Sequence, residues 1–324
     1  MEFGIQLVGN TPQDILDMAA LAEKVGIKNA FVPDHFAMES PGGAGLSPDQ
    51  PVWEAIALLG AMAERTSTLE VGALVLCNLF RHPALTAQAM ATIDRLSGGR
   101  AILGLGSGWT KAEFDMTGVD FPDIKPRLRQ LDESLCIIRS LWTEDRTNFE
   151  GEFYQLRDAF IPALPERQPC PPILLGGGGK GLLRIAARHA DLVNIVVETG
   201  KAGTILLSEV AKLAEDAFRK KVDFVREEAN GHGRDIRIST TGFMTILTDT
   251  EEQGDQMAAA VASGFGLDPV VARRMPISLV GTPAQWIEEL QRREREWGLD
   301  HMVLSGGMDA ATLERVGKEV LPYV

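Results

Sequence analysis

The sequence predicts a single α/β domain over residues 1–324, folded as a (β/α)8 TIM barrel with insertions. Strand-like and helical runs alternate eight times, and no linker rich in Gly, Ser and Pro divides the chain. Polar and glycine residues also collect where four successive predicted strands end. Because the strand ends of a barrel form one rim that carries the active site, this collection favours a barrel over the alternative, an open doubly wound sheet.

The first third of the chain contains four strand-helix units. Phe3–Val8 is a predicted strand, and Thr11-Pro12 begins a helix whose apolar residues recur at helical spacing until Gly26. The following elements are a strand at Asn29–Pro33, a helix at Pro51–Arg65, a strand at Leu69–Cys77, a helix at Pro83–Leu96 and a strand at Arg100–Leu105.

Two helical stretches, near Thr110–Thr117 and Arg127–Trp142, and an extended piece at Phe149–Tyr154 precede the remaining units. The alternation then continues with the strand Ile173–Leu175, the helix Leu182–His189, the strand Asp191–Val197, the long amphipathic helix Ala202–Ala229, the strand Ile236–Leu247, the helix Glu251–Ser263, the helix Thr282–Trp297, the strand His301–Leu304 and the helix Ala310–Leu321. Two long loops, Ala37–Pro51 and Phe265–Val280, are expected to select the substrate.

Composition excludes several classes of protein. The hydrophobic content of 45% supports a large core, and the net charge of −13 argues against a nucleic-acid partner. Three widely spaced cysteines indicate neither a disulfide framework nor a metal site. No targeting segment or membrane span is evident, so we expect a soluble, cytoplasmic protein with a small-molecule substrate.

Asp34-His35 follows a buried strand and is the candidate catalytic pair. A histidine at this end of a barrel strand can donate a proton to a substrate, with a neighbouring carboxylate tuning it; the alternative is a structural histidine in a long loop. Glu113 could face the site, although a solvated helix carboxylate is the commoner case. Arg127 and Arg129 are candidates for contact with an anionic ligand.

Two glycine-containing turns lie at later strand ends. Gly106-Ser107-Gly108 suits a flat ring or a phosphate, and Trp109 either stacks on a ring or caps the barrel. Gly176, Gly177, Gly178, Gly179 and Lys180 follow a short strand and precede a helix. That order is typical of a phosphate cradle, in which backbone N–H groups, a helix dipole and a lysine meet an anion; the alternative is a turn kept for tight packing.

Taken together, the motifs resemble those of the bacterial luciferase-like monooxygenase superfamily almost end to end. The resemblance rests on these segments: Phe3-Gly4-Ile5-Gln6, Val32-Pro33-Asp34-His35-Phe36, Phe80-Arg81-His82-Pro83, Asp94-Arg95-Leu96-Ser97-Gly98-Gly99-Arg100, Leu103-Gly104-Leu105-Gly106-Ser107-Gly108-Trp109, Phe149-Glu150-Gly151-Glu152-Phe153-Tyr154, and the glycine cluster with Ala186-Ala187-Arg188-His189-Ala190-Asp191. The run Leu76–Pro83 and the Gly-Ser-Gly-Trp form look most similar to the branch that uses coenzyme F420, a deazaflavin.

The resemblance implies a cofactor site and a chemistry. A bulge over Ala73–Val75, with a cis peptide at Leu74-Val75, would support the cofactor ring, and Ser107, Gly108 and Trp109 would lie near the ring or its tail. Gly176–Gly179, with Lys180, would hold the phosphate. Asp34 and His35 would face ring and substrate, with His35 as the proton donor for hydride transfer. Relatives commonly form homodimers.

Three functions follow from this resemblance. The leading hypothesis is an F420-dependent oxidoreductase; the alternatives are an FMN-dependent monooxygenase served by a separate flavin or F420 reductase, and a non-catalytic flavin-binding barrel. Sugar-phosphate dehydrogenases of the deazaflavin group carry a tryptophan shortly after the histidine and a glutamate after the Gly-Ser/Thr-Gly turn. This chain has Met38-Glu39 near the first place and Trp109 at the second, which argues against sugar-phosphate oxidation.

Overall fold

The barrel predicted from the sequence is present in the structure, a computed structural model that describes residues 1–38, 46–198, 210, 212–306 and 308–324. Its strands, in chain order, are β1 (Glu2–Gln6), β2 (Asn29–Val32), β3 (Glu70–Ala73), β4 (Leu76–Cys77), β5 (Ala101–Gly106), β6 (Thr147–Glu150), β7 (Gln155–Ala159), β8 (Ile173–Gly176), β9 (Leu192–Asn194), β10 (Arg237–Gly242), β11 (Met244–Leu247), β12 (Ser278–Gly281) and β13 (His301–Leu304).

The barrel closes in the order β3-β2-β1-β13-β10-β9-β8-β5, and β5 pairs back onto β3 and β4. Every pair around the barrel is parallel. With β3 and β4 as two segments of one strand, the barrel has the eight strands that the alternation predicts. The carboxyl ends of all eight therefore lie on one face, which fixes where the site is built.

The helices of the described chain pack around this barrel. They are α1 (Pro12–Val25), α2 (Ala55–Arg65), α3 (Pro83–Ser97), α4 (Lys111–Thr117), α5 (Ile124–Thr143), α6 (Lys180–His189), α7 (Glu215–Gly231), α8 (Glu251–Phe265), α9 (Pro269–Arg274), α10 (Pro283–Trp297) and α11 (Ala310–Glu319). As predicted, α1 begins after Thr11, which forms a capping box with Asp14, and ends at Gly26 in the left-handed conformation. Within the described residues, no helix has the length and apolar character needed to span a membrane.

The structure changes the assignment of five predicted segments. The strand predicted over Leu69–Cys77 breaks into β3 and β4, and the break contains the cis peptide Leu74-Val75 that the resemblance predicted. The strand predicted over Ile236–Leu247 divides into β10, in the barrel, and β11, which pairs with β12 outside it. That pairing gives structure to the predicted loop Phe265–Val280, which contains α9 and part of β12.

The other two corrections concern α7 and the extended piece at Phe149–Tyr154. The long helix predicted over Ala202–Ala229 is seen as α7, from Glu215, while positions 202–209 and 211 lie outside the described residues. The extended piece is part of the antiparallel hairpin of β6 and β7.

The barrel interior contains an apolar layer and a polar chain. Phe31, Ile102, Leu174, Leu192 and Val303 form a small inner cluster, separate from the large core between strands and helices. Side chains that face the interior from different strands thus fill the barrel as a packed layer.

The polar chain crosses the interior at its amino-terminal side. The fully buried His301 ring lies between Asn29 Oδ1, at 2.7 Å, and Ser239 Oγ, at 2.8 Å. Asn29 also donates to Glu70 at 3.4 Å, and Asn194 donates to Ser239 at 2.8 Å. Burial, with a smaller contribution from the charge of Arg237, lowers the pKa of His301 to about 3, so the ring is neutral and holds strands together rather than exchanging protons.

Candidate active site

The carboxyl ends of β2, β4, β5 and β8 carry the residues predicted for the site. Asp34 and His35 follow β2, the break at Leu74-Val75 precedes β4, Ser107–Trp109 follow β5, and the glycine cluster begins at the end of β8. All of them lie on the face of the barrel where the strands end.

His35 is held by Glu113, a residue of the short helix α4. Its Nδ1 lies 2.8 Å from Glu113 Oε2, while Glu113 Oε1 accepts from the backbone N–H groups of Phe36 and Ala37. Glu113 is only 2% exposed, so the expectation of a solvated carboxylate was wrong. Burial pushes the pKa of Glu113 up, but the contacts with His35 and the two backbone N–H groups outweigh it and lower the pKa.

The ionised carboxylate fixes the chemistry of the His35 ring. Because a carboxylate at neutral pH only accepts hydrogen bonds, Nδ1 of His35 carries its hydrogen, and Nε2 is left to exchange a proton. The His35 ring is also in edge contact with Trp109, with 5.6 Å between the ring centroids. The contact places Trp109 beside His35 and does not decide between the two interpretations of Trp109.

Asp34, the other member of the predicted pair, contacts a different set of groups. Its two carboxylate oxygens accept from Arg81 at 2.7 and 2.9 Å, and Oδ2 also accepts from the backbone N–H of Cys77 at 2.8 Å. Arg81 in turn donates to Glu54, whose side chain caps α2. Asp34 thus ties the end of β2 to β4, and the carboxylate that contacts His35 is Glu113.

The break between β3 and β4 is matched by glycines in the neighbouring strands. The side chain of Val75 occupies space that a Cβ would need at Gly106, at 2.6 Å, and at Gly176, at 3.0 Å. A Cβ at Gly104 would lie 1.8 Å from the carbonyl oxygen of Ala73. Because these three positions of β5 and β8 are glycines, they leave room for the backbone of Ala73 and the side chain of Val75. The break between β3 and β4 thereby forms the floor of the site.

The turn after β5 adds a group of buried polar atoms without partners. Asn78 Nδ2, Thr110 Oγ1 and Arg127 Nε are buried and lack a hydrogen-bond partner within the described part of the chain. All three residues adjoin this turn, since Asn78 donates through its backbone to Gly106 and Arg127 donates through its side chain to the carbonyl of Gly108. Buried polar atoms without partners are rare in proteins, so their convergence favours a polar ligand at this turn.

The two arginine candidates separate in the structure. Arg127 is buried, its guanidinium stacks 3.9 Å over the ring centre of Phe121, and burial lowers its pKa. Arg129 instead points to the surface, where it pairs with Glu152 at 2.8 Å. Of these two arginines, Arg127 is the one that lies beside the turn after β5.

The glycine cluster precedes α6, and Gly179 is the N-cap of that helix without a side-chain cap. Gly178 is packed closely, because a Cβ there would lie 2.2 Å from the carbonyl oxygen of Val196. Lys180, predicted to supply charge, is exposed and lies over the ring of Phe224, with 5.8 Å from Nζ to the ring centre. The lysine that reaches the cluster is Lys221, whose Nζ donates to the carbonyl of Gly178 at 2.6 Å.

Sequence patterns did not indicate Lys221 as a site residue, and they named Glu113 only as a residue that could face the site. Glu113 carried one usable signal, its place one helical turn beyond Trp109. Lys221 lies in the middle of a charged amphipathic helix, and nothing local distinguishes it from Lys220. Cys77, at the end of β4, is not a nucleophile, because burial raises the pKa of its thiol to about 12.

Across the described ranges, no three His, Cys, Asp or Glu side chains are grouped so that they could hold a metal ion.

The chain is similar to known proteins along most of its length. A family model described as luciferase-like monooxygenase matches residues 2–302. A protein named F420-dependent glucose-6-phosphate dehydrogenase from Amycolatopsis mediterranei (strain U-32) is 34% identical, over 96% of this chain and 94% of its own. A protein of the same name from Mycolicibacterium fortuitum is 31% identical, over 90% of this chain and 87% of its own.

Solved structures share the fold. The coenzyme F420-dependent tetrahydromethanopterin reductase from Methanopyrus kandleri superposes with a TM-score of 0.77 at 22% identity, covering 99% of this chain and 98% of that one. An F420-dependent secondary alcohol dehydrogenase, in complex with an F420-acetone adduct, superposes with a TM-score of 0.78 at 21% identity, covering 100% and 98%. At these identities the likeness supports the barrel fold alone.

Proposed function

The chain belongs to the luciferase-like monooxygenase family, and from that membership we propose that it is an F420-dependent oxidoreductase acting on a small organic substrate. The reaction is hydride transfer between the deazaflavin and a substrate carbon. The observation that carries the proposal is similarity over nearly the whole chain to proteins whose names state F420 dependence.

The residues present suit such a cofactor. The backbone of Gly177, Gly178 and Gly179, at the uncapped start of α6, would hold the phosphate of the cofactor tail. The unpartnered donors of Asn78 and Arg127 would meet polar atoms of the cofactor beside the turn after β5. Ala73, Leu74 and Val75 would form the surface behind the ring, and Ser107, Gly108 and Trp109 would lie at its edge.

His35 and Glu113 supply the proton chemistry. A bound deazaflavin supplies a carbon centre that accepts or gives a hydride as a pair of electrons. When a substrate hydroxyl is oxidised, Nε2 of His35 takes the hydroxyl proton as the hydride leaves the carbon, and Glu113 stabilises the resulting imidazolium. In the reverse direction, His35 returns that proton to the carbonyl oxygen. Asp34 contributes by positioning, through Arg81 and the start of β4.

The substrate class that fits this chemistry is an alcohol, or the matching carbonyl compound in reverse. Glucose 6-phosphate is the first compound to assay, because the names of several relatives specify it. Trp109 at the place of a glutamate in the sugar-phosphate enzymes is the feature that argues for a different alcohol, since it adds an apolar wall beside His35.

Titration of the purified protein with F420 and, separately, with FMN tests the cofactor. We expect F420 to bind and its absorbance to fall when an accepted alcohol is added. Tight binding of FMN together with no binding of F420 would overturn the proposal and favour the monooxygenase alternative, which needs a separate reductase.

We also propose that the protein forms a homodimer and is located in the cytoplasm. Light scattering of the purified chain distinguishes a dimer from a monomer of 35.2 kDa. A monomeric mass at assay concentration would exclude the homodimer and would leave the proposed cofactor unchanged.

A further inference from the structure

One lysine and one carboxylate meet at the glycine cluster. Lys221 of α7 is largely buried, with 18% of its side chain exposed, and it forms a hydrogen bond to the carbonyl of Gly178 and an ion pair with Glu198. The bond to Gly178 fixes the ammonium group at the cluster. Lys221 therefore holds a positive charge at the edge of the glycine cluster, where it can pair with an anion.

Glu198 lies over the same glycines. A Cβ built at Gly179 would lie 3.9 Å from Glu198 Oε2, and one built at Gly178 would lie 3.2 Å from its Cγ. Gly179 is the N-cap of the ten-residue helix α6 and has no side-chain cap of its own. The carboxylate thus lies beside a helix N-terminus, where the helix dipole and the free N–H groups favour negative charge.

The Glu198 carboxylate and a phosphate cannot share this position. Both are anions, so a phosphate would be attracted by the start of α6 and by the ammonium group that the Glu198 carboxylate already contacts. Half of the Glu198 side chain is exposed, so it can turn into solvent without burying its charge. Lys221, held by the carbonyl of Gly178, stays in place.

We propose that Lys221 is the cation that binds the cofactor phosphate, and that Glu198 competes with the phosphate for Lys221 and for the start of α6. This inference rests on the proposed function insofar as it assigns the phosphate to the cofactor. It replaces Lys180 with Lys221 as the charged member of the cradle. It also gives Glu198 a role in setting the affinity for the cofactor, because every bound phosphate must displace its carboxylate.

Three variants test the assignment: Lys221→Met, Glu198→Gln and, as the matched control, Lys180→Met. Dissociation constants are measured by fluorescence titration with F420 and with its deazaflavin fragment that lacks the phosphate. We expect Lys221→Met to weaken F420 binding about tenfold, and Glu198→Gln to strengthen it about threefold, the range of a charge-assisted contact. Lys180→Met should bind F420 within about twofold of the parent, because Lys180 is exposed and contacts Phe224.

The fragment without phosphate separates a charge effect from a packing effect. It should bind the parent, Lys221→Met and Glu198→Gln equally, because its binding displaces no carboxylate. A loss of F420 affinity in Lys180→Met but not in Lys221→Met would overturn the assignment. Weaker F420 binding by Glu198→Gln would show that Glu198 supports the phosphate site instead of competing for it. Lys221→Arg, which keeps the charge, should retain most of the affinity; thermal melts confirm that each variant is folded.

Failure of the proposed F420 dependence would give a different experimental result from failure of the Lys221 and Glu198 assignment. If the parent protein binds FMN and not F420, the same variants are titrated with FMN and with riboflavin, which lacks the phosphate. Lys221 and Glu198 should then distinguish FMN from riboflavin in the same manner. Equal effects of the variants on FMN and riboflavin would overturn the inference whichever cofactor is used.

Discussion

The Nδ1 atom of His35 lies 2.8 Å from Oε2 of Glu113, and the two residues are 78 positions apart in the chain. Glu113 also accepts from the backbone of Phe36 and Ala37, so one buried carboxylate sets both the ring and the loop that carries it. A general acid or base works only when it is held within hydrogen-bond reach of its substrate. If His35 exchanges the proton as proposed, Glu113 is the residue that positions its ring.

Replacing Glu113 with Gln should lower kcat about 10- to 100-fold and change the F420 dissociation constant by less than about threefold. The amide cannot accept from His35 and from both backbone N–H groups, so the ring loses its fixed orientation. Steady-state kinetics and cofactor titration measure the two effects. Asp115→Asn is the matched control on the same helix, because Asp115 is exposed and pairs with Lys111 at the surface. Wild-type kcat in Glu113→Gln would remove Glu113 from the mechanism.

His35→Asn should lower kcat by at least about 100-fold, in keeping with loss of a general acid or base. Cofactor affinity should remain near that of the parent, because the phosphate cradle at Gly177–Gly179 lies on a different strand end. His232→Asn, at the exposed end of α7, is the control and should behave as the parent. Unchanged turnover of His35→Asn, with an accepted substrate, would exclude His35 as the proton-exchanging group.

Asp34→Asn tests whether Asp34 acts on structure. Removing its charge leaves the Arg81 guanidinium without its main partner and weakens the tie to Cys77, so the free energy of unfolding should fall by about 2–3 kcal/mol. Urea denaturation measures the change. Glu54→Gln affects the same arginine from an exposed position and should cost less than about 1 kcal/mol. Equal stability of the two variants would contradict the structural role of Asp34.

The close fit of the third strand against glycines can be tested at Gly104. In Gly104→Ala, the added methyl group would meet the Ala73 carbonyl at 1.8 Å, so we expect a loss of about 3 kcal/mol or more in the free energy of unfolding. Gly60→Ala is the opposite case, because, within the described chain and apart from its own chain neighbours and the adjacent backbone of α2, no atom lies within 4 Å of its Cβ position. That variant should gain about 0.5–1 kcal/mol from the higher helix propensity of alanine. Chemical denaturation of both proteins measures these changes in the free energy of unfolding. A Gly104→Ala protein as stable as the parent would contradict the close packing of Gly104 against Ala73.

The barrel was predictable because its signals are local. Alternating strand and helix patterns, the cap at Thr11 and the polar residues after each strand can all be found in short windows of sequence. The contact between His35 and Glu113 was not predictable, because it depends on how α4 packs against the loop after β2. The position of Lys221 likewise depends on how α7 crosses the start of α6, which no spacing in the sequence encodes. The candidate residues on strand ends can be located from the sequence, whereas contacts made by side chains on helices require the structure.

The buried ring of His301 predicts a loss of stability in mild acid. Its pKa is about 3 in the folded protein, against 6.5 for an ordinary histidine, so between these values the unfolded chain binds a proton that the folded chain does not. The titration of His301 therefore leaves the free energy of unfolding unchanged above about pH 6.5. Below that pH the free energy of unfolding falls by about 1.4 kcal/mol for each pH unit, which amounts to about 2 kcal/mol at pH 5. Urea denaturation at pH 7.5, 6 and 5 measures this slope.

His301→Asn keeps a polar side chain between Asn29 and Ser239 but cannot titrate. The variant should be less stable than the parent at pH 7.5, because the shorter amide cannot span both partners, yet its stability should change by less than about 0.5 kcal/mol between pH 7.5 and 5. Carboxylates with lowered pKa values, such as Glu113, lose their contribution only at lower pH and do not obscure this window. Parallel pH profiles for parent and variant would mean that another group controls acid stability.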